Sequence, residues 1–326
     1  MAESVNPSYP PTMDYTEEHI LEGRINGVYD SGHYALLELV IFSIAILICM
    51  LGWVGNGHAS WLLGFRIKGN AFTTYFLNMA VADFGSLVFL SFFLILCVTD
   101  FSYTFFYHIS ALVVVLQELY LFTFTASLCF LTVISVERCL AVLFPTWYSC
   151  RRPTCLSSRI SFLIWTLCTM FYGMQISFFL VYYMELKIVT QIMFIVNYWA
   201  LPPLLCLSTL VLLAKICCSS QRQPVGSLNT VILLLLLFVL LFRGPWVIAY
   251  SIYSIGYSNL FFILSHLVYS ICCSIKPIFY HFVGRKCRYS PTEPLEAVFQ
   301  RVFQDEVYSV GENEQTSAST TGDVTC

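Results

Sequence analysis

The chain is predicted to be an all-α membrane protein, a seven-transmembrane helix bundle followed by a short cytoplasmic amphipathic helix. Three observations carry this. Of 326 residues, 58% are hydrophobic and only 11% charged, with a mean hydropathy of +0.76, whereas a soluble domain has about a quarter of its residues charged. Seven apolar segments recur, each with the roughly twenty residues at 1.5 Å rise that a helix needs to cross the hydrocarbon core. Lysine and arginine gather on one side of those segments. The net charge of −3 supplies no bulk field that would call for a nucleic-acid partner. The 14 cysteines fall almost entirely inside the apolar segments or on the basic side, so they are not a secreted disulfide scaffold.

Residues 1–34 carry Glu3, Asp14, Glu17, Glu18, Glu22 and Asp30 against one base, Arg24. Proline and glycine recur among them, and the stretch reads as an acidic, mostly unordered arm. Its acids keep the arm soluble or attract cationic ligands. It holds no apolar run of the kind a secretory signal needs, so the first apolar segment is expected to direct its own insertion. Asn6-Pro7-Ser8 is excluded as a glycosylation sequon by its proline, and no other sequon occurs.

The seven segments are approximately Ala35–Phe65, Phe72–Val98, Ile109–Phe144, Ile160–Tyr183, Ile188–Cys218, Leu228–Tyr253 and Leu260–Gly284, a transmembrane domain over residues 35–284. Fusing the fourth and fifth would give a helix far longer than a bilayer requires, and Glu185 and Lys187 mark a loop between them. Arg66 and Lys68 follow segment one, and Arg138, Arg151, Arg152 and Arg159 join segments three and four. Lys215 and Arg222 lie between five and six, and Arg285, Lys286, Arg288 and Arg301 follow seven. All of these fall on one side, opposite Arg24 and Lys187, which places the N-terminus outside and the C-terminus in the cytoplasm.

Past segment seven, residues 285–304 form a cytoplasmic membrane-surface segment. Leu295, Val298, Phe299, Val302 and Phe303 recur at helical spacing there, as in an amphipathic helix lying on the inner leaflet. Cys287, among bases just past the membrane, is a candidate palmitoylation site. Residues 305–326, rich in Ser, Thr, Glu and Gly, are expected to be a disordered cytoplasmic tail.

Polar groups inside the bilayer are the candidate functional residues, because an intramembrane charge needs a partner. Asn56 and Asp83 lie midway through segments one and two, and Lys276 lies in segment seven beside Pro277. Lys276 either pairs with an acid inside the bundle or snorkels toward the cytoplasm. Arg243 precedes Pro245 and Trp246 in segment six. It lies at a depth similar to Glu118 in segment three, so it either bridges to Glu118 or floors a cavity for an anion.

The run Ser135-Val136-Glu137-Arg138-Cys139, continuing through Phe144-Pro145-Thr146-Trp147-Tyr148 to Cys150-Arg151-Arg152-Pro153, closes a long apolar helix with an acid–arginine pair and an aromatic turn. This run resembles the cytoplasmic end of the third helix in rhodopsin-like G-protein-coupled receptors, and in particular the Mas-related family. Asn56, the Asn78-to-Asp83 stretch and Lys276-Pro277-Ile278-Phe279-Tyr280 fall at matching places. The resemblance covers roughly residues 36–304.

It implies a plasma-membrane receptor that passes an extracellular peptide or small-molecule signal to heterotrimeric G proteins, with no enzymatic activity, cofactor or metal. Glu137, Arg138, Pro145 and Tyr280 would serve G-protein coupling, with Glu137 restraining Arg138 at rest. Asn56, Asp83, Ser127 and Lys276 would form the polar core. There the family has an asparagine in place of Lys276, and its aspartate helps to hold sodium. Helices two and seven are neighbours in that fold, so the resemblance implies an Asp83–Lys276 ion pair in place of the sodium site, which predicts insensitivity to sodium. Pro245 and Pro277 would be the kinks used in activation.

Glu118, Tyr120, Phe124, Gln175, Arg243 and Trp246 would line the ligand cavity. Arg243 stands where most rhodopsin-like receptors have a switch tryptophan. Tyr120 replaces the aspartate of amine receptors, and Gln175 replaces an acid that several Mas-related members use for cationic ligands. The usual outer disulfide is missing, and Phe179 stands where a substitute cysteine would be. With no acid between Ser219 and Tyr253, a restraint between helices three and six cannot form, which predicts raised basal activity. Lys276, Arg243 and the missing disulfide keep open a receptor that acts by basal signalling or heteromerisation without ligand. Ser258 with His266 suggests a serine hydrolase only weakly, since no oxyanion device accompanies them. No internal repeat suggests a transporter.

Overall fold

The computed structural model describes residues 15–67, 69–99, 106–144, 148, 152–153, 155–182, 187–218, 227–252, 259–286, 294, 296–300 and 302, with the side chains of 15–35 and 243–252 among those outside the description. The helices in chain order are α1 (Tyr15–Trp61), α2 (Ala71–Val98), α3 (Phe106–Leu143), α4 (Leu156–Tyr182), α5 (Lys187–Phe194), α6 (Leu201–Cys218), α7 (Ser227–Ile252), α8 (Asn259–Ser274) and α9 (Lys276–Lys286). Among the described residues, six stretches are long and apolar enough to cross a membrane, and Asn229–Phe242 in α7 is a shorter apolar one. The pattern is that of a seven-span bundle, in which α5 with α6 makes the fifth span and α8 with α9 the seventh. One expectation differs: residues 15–34, read as unordered, are helical and continuous with the first span.

Local chemistry accounts for the joints. Asn70 caps α2 reciprocally: its side chain accepts from the Thr73 N–H at 2.8 Å, and the Thr73 hydroxyl accepts from the Asn70 N–H at 2.6 Å. Pro202 and Pro203, at the start of α6, offer no N–H to the carbonyls one turn before them. The fifth span widens just there into a π-helical turn over Ile195–Ala200. Pro277 breaks the seventh span in the same way, with a bend at Ile275 between α8 and α9. The Cys273 carbonyl, one turn before Pro277, accepts instead from Asn56 Nδ2 in α1 at 3.1 Å.

The first and seventh spans touch closely. Ser274 Oγ donates to the Ile48 carbonyl at 3.1 Å. A Cβ at Gly52 would collide with Ser274 Oγ and with Leu87, so only glycine permits this approach. On the other flank, Trp165 Nε1 in α4 donates to Asn78 Oδ1 in α2 at 2.8 Å. Residues 296–300 are helical, and their buried Val298 and Phe299, with Val302, belong to the packed interior. Phe299 meets Tyr280 edge-on at 5.7 Å. The apolar side of this segment is therefore turned at least partly onto the bundle as well as being suited to a membrane surface.

Candidate functional site

Three polar assemblies lie along the bundle. The deepest joins α2, α3 and the break in the seventh span. Lys276 Nζ donates to Asp83 Oδ1 at 2.8 Å and to Ser127 Oγ at 2.5 Å, and Ser127 in turn donates to the same Asp83 oxygen at 2.6 Å. The side chains of Lys276 and Asp83 are 4% and 0% exposed. Lys276 therefore does not snorkel; Pro277 bends the span where its ammonium points inward, so an internal cation satisfies the Asp83 carboxylate. Asn56 binds the adjoining Cys273 carbonyl, and Cys273 itself faces Asp83. The expected core of Asn56, Asp83, Ser127 and Lys276 is one connected network.

The second assembly closes the far end of α3. Glu137 was expected to restrain Arg138, but its carboxylate is engaged elsewhere. Tyr75 in α2 donates to Oε1 at 2.7 Å and Tyr148 to Oε2 at 3.3 Å. Arg152 Nη2 donates to both oxygens, at 3.0 and 2.9 Å. The reason is geometric: adjacent helical residues point about 100° apart, so Arg138 leaves on another face. Its guanidinium lies over the Phe72 ring, 3.6 Å from the centroid. Phe72 stacks against Tyr148 at 6.4 Å, and Arg152 lies over the Tyr148 ring at 5.5 Å. Burial, followed by the Glu137 carboxylate, pushes the Tyr148 phenol up to about 12, so it remains a donor at physiological pH. Tyr280 is buried against Phe76 and Phe299, while Pro145 and Cys287 lie outside the described residues.

The third assembly fills the other half of the bundle. Tyr120 Oη lies 3.0 Å from His266 Nε2; which atom donates depends on the imidazole tautomer. Phe93 stacks on that imidazole at 5.2 Å and Phe42 meets it edge-on at 6.3 Å. Phe124 meets Tyr269 edge-on at 4.5 Å. Tyr120 and Phe124, expected to line a cavity, are 4% and 5% exposed and pack against α8. Nearby, Thr125 pairs with Tyr172 at 2.7 Å and donates to Asn197 Oδ1 at 3.1 Å, which ties α3 to α4 and to the π turn of the fifth span. Gln175 is buried in α4 and Glu118 is half-buried in α3. The side chains of Arg243, Pro245 and Trp246 lie outside the description.

Sequence reasoning missed Tyr75 and Arg152 as partners of Glu137, Tyr148 as their hub and His266 as the partner of Tyr120. Tyr148 and Arg152 stood within the quoted motif. For Tyr75 the only signal was a polar tip on an otherwise apolar helix.

A buried ion pair stitching spans two, three and seven, above an acid–arginine pair packed at the end of the third span, defines the class as a multi-pass helical membrane protein of receptor architecture. Comparison with known proteins agrees. The chain is 33% identical over 280 residues to human Mas-related G-protein coupled receptor member D, covering 82% of this chain and 86% of that one. It is 36% identical over 280 residues to member X2 of Hoolock hoolock, covering 82% and 84%, and 32% identical over 276 residues to the rat proto-oncogene Mas, covering 82% and 85%. No protein-family model matches. The chain belongs to the Mas-related G-protein-coupled receptor family. It is a cell-surface multi-pass membrane protein and a receptor, not an enzyme.

Proposed function

We propose that the receptor lies in the plasma membrane with its N-terminus outside, and that it passes an extracellular peptide or small-molecule signal to heterotrimeric G proteins through the cytoplasmic end of α3. Arg138 is the residue that meets the G protein. The observation carrying this reading is that Arg138 and Glu137 close α3 within a cluster drawn from α2 and the segment before α4. The side is cytoplasmic because Lys and Arg concentrate there. Asp83, Ser127 and Lys276 tie α2 and α3 to the broken seventh span, so a movement of that span is passed to α3, which carries Arg138.

A second reading, basal signalling without ligand, draws support from the burial of Tyr120 and Phe124 against His266 and Tyr269. One experiment addresses both. Inositol phosphate and cAMP are measured in cells expressing wild type, Arg138→Ala or Lys276→Asn at matched surface levels. Wild-type output above vector that falls in Arg138→Ala supports coupling, and supports the second reading when no ligand is added. Output that Arg138→Ala leaves unchanged refutes the role of Arg138.

A further inference from the structure

Arg138 is only 5% exposed, so the group proposed to meet a G protein cannot be reached until its cover moves. Part of that cover is Phe72, whose ring lies under the Arg138 guanidinium at 3.6 Å. Behind Phe72 stands Tyr148, stacked at 6.4 Å, whose hydroxyl donates to Glu137. Behind Tyr148 stands Arg152, over its ring and bound to both Glu137 oxygens. A single chain of contacts thus runs from Arg152 to Arg138 by way of two aromatic rings, and the Glu137 carboxylate closes it into a loop.

We infer that the Glu137–Arg152 contact is an autoinhibitory clasp, which holds Tyr148 and Arg152 against the end of α3 and, through Tyr148 and Phe72, keeps Arg138 covered. The inference rests on the G-protein reading for its consequence, and it adds the element that must let go. The geometry suits a catch that opens. The side chains of Arg152 and Glu137 are 10% and 6% exposed, so the pair is shielded enough to count. Arg152 nevertheless engages Glu137 through one nitrogen, and among the described residues its Nε has no hydrogen-bond partner. Two parallel bonds from two nitrogens would hold more tightly. Tyr75, the ligand of Glu137 that comes from α2, holds the carboxylate in place when Arg152 leaves.

Arg152 is therefore a positioning residue, acting on Arg138 through two rings. Its test compares wild type, Arg152→Gln, Arg152→Lys, Glu137→Gln and the double Glu137→Gln/Arg152→Gln at matched surface levels. Basal second-messenger output is expected to rise about fivefold in Arg152→Gln, as for loss of a partly shielded ion pair that biases a two-state equilibrium. Arg152→Lys, which keeps the charge, is expected to restore most of the restraint, and the double variant to rise no further than the higher single one. Unchanged output in Arg152→Gln, or effects that multiply in the double variant, overturns the clasp.

A second measurement needs no G protein. Purified full-length receptor is treated with the arginine reagent phenylglyoxal, and the modification of Arg138 is followed by peptide mass spectrometry. Labelling that is slow in wild type and several times faster in Arg152→Gln supports the clasp even where Arg138→Ala has no effect on signalling and the coupling reading has failed. Equal labelling rates in the two proteins overturn it.

Discussion

Lys276→Asn puts a neutral amide in place of the ammonium beside Pro277, and it should damage the protein. Asp83 is fully buried, and its Oδ1 receives both the Lys276 ammonium at 2.8 Å and the Ser127 hydroxyl at 2.6 Å. Removing the ammonium leaves a carboxylate with only neutral donors in a site without access to bulk water. Losing one member of a buried pair costs about 3–5 kcal/mol, most of it the penalty of the charge left behind. Asp83→Asn strands the ammonium and should cost a similar amount. The double variant Asp83→Asn/Lys276→Asn buries two neutral amides and should recover most of the loss, so the coupling between the sites should reach about 2 kcal/mol or more.

The assay is an unfolding titration of the purified receptor in mixed micelles, run for all four proteins in sodium and again with sodium replaced by N-methylglucamine. Wild type should be indifferent to the exchange, because its own ammonium occupies the place a cation would take. Lys276→Asn should gain stability from sodium. Additive single losses, or a wild type stabilised by sodium, would refute the reasoning.

Two further consequences concern packing. Gly52→Ala drives a methyl into Ser274 Oγ and Leu87 and should sharply lower surface expression, whereas Gly64→Ala, whose Cβ would meet Leu77 at an ordinary 3.7 Å, should be tolerated; flow cytometry of tagged receptor compares them directly. Tyr120→Phe keeps the ring but removes the hydroxyl facing His266 Nε2. Unfolding titration should register a loss of about 1–3 kcal/mol for the stranded polar group, and Tyr120→Phe/His266→Phe should be milder than the single change despite altering more atoms.

The spans were legible in the chain because they follow from local properties. Twenty apolar residues must be helical in lipid, since no other backbone form satisfies its own hydrogen bonds, and basic loops mark one side. The meeting of Asp83 with Lys276 was legible because a charge deep in the bilayer needs a partner and the family resemblance sets the second and seventh helices side by side. The cluster at the end of α3 was not. Near the membrane surface Glu137 had several arginines within reach, and its own neighbour Arg138 was the obvious choice. Arg152 and Tyr75 win because the helix turns adjacent side chains apart and brings α2 and the α3–α4 segment under the carboxylate. The same holds for Tyr120 and His266, which lie 146 residues apart in the chain. Lipid solubility and charge compensation are written residue by residue, whereas the choice among equally suitable partners depends on distances that exist only after the helices have packed.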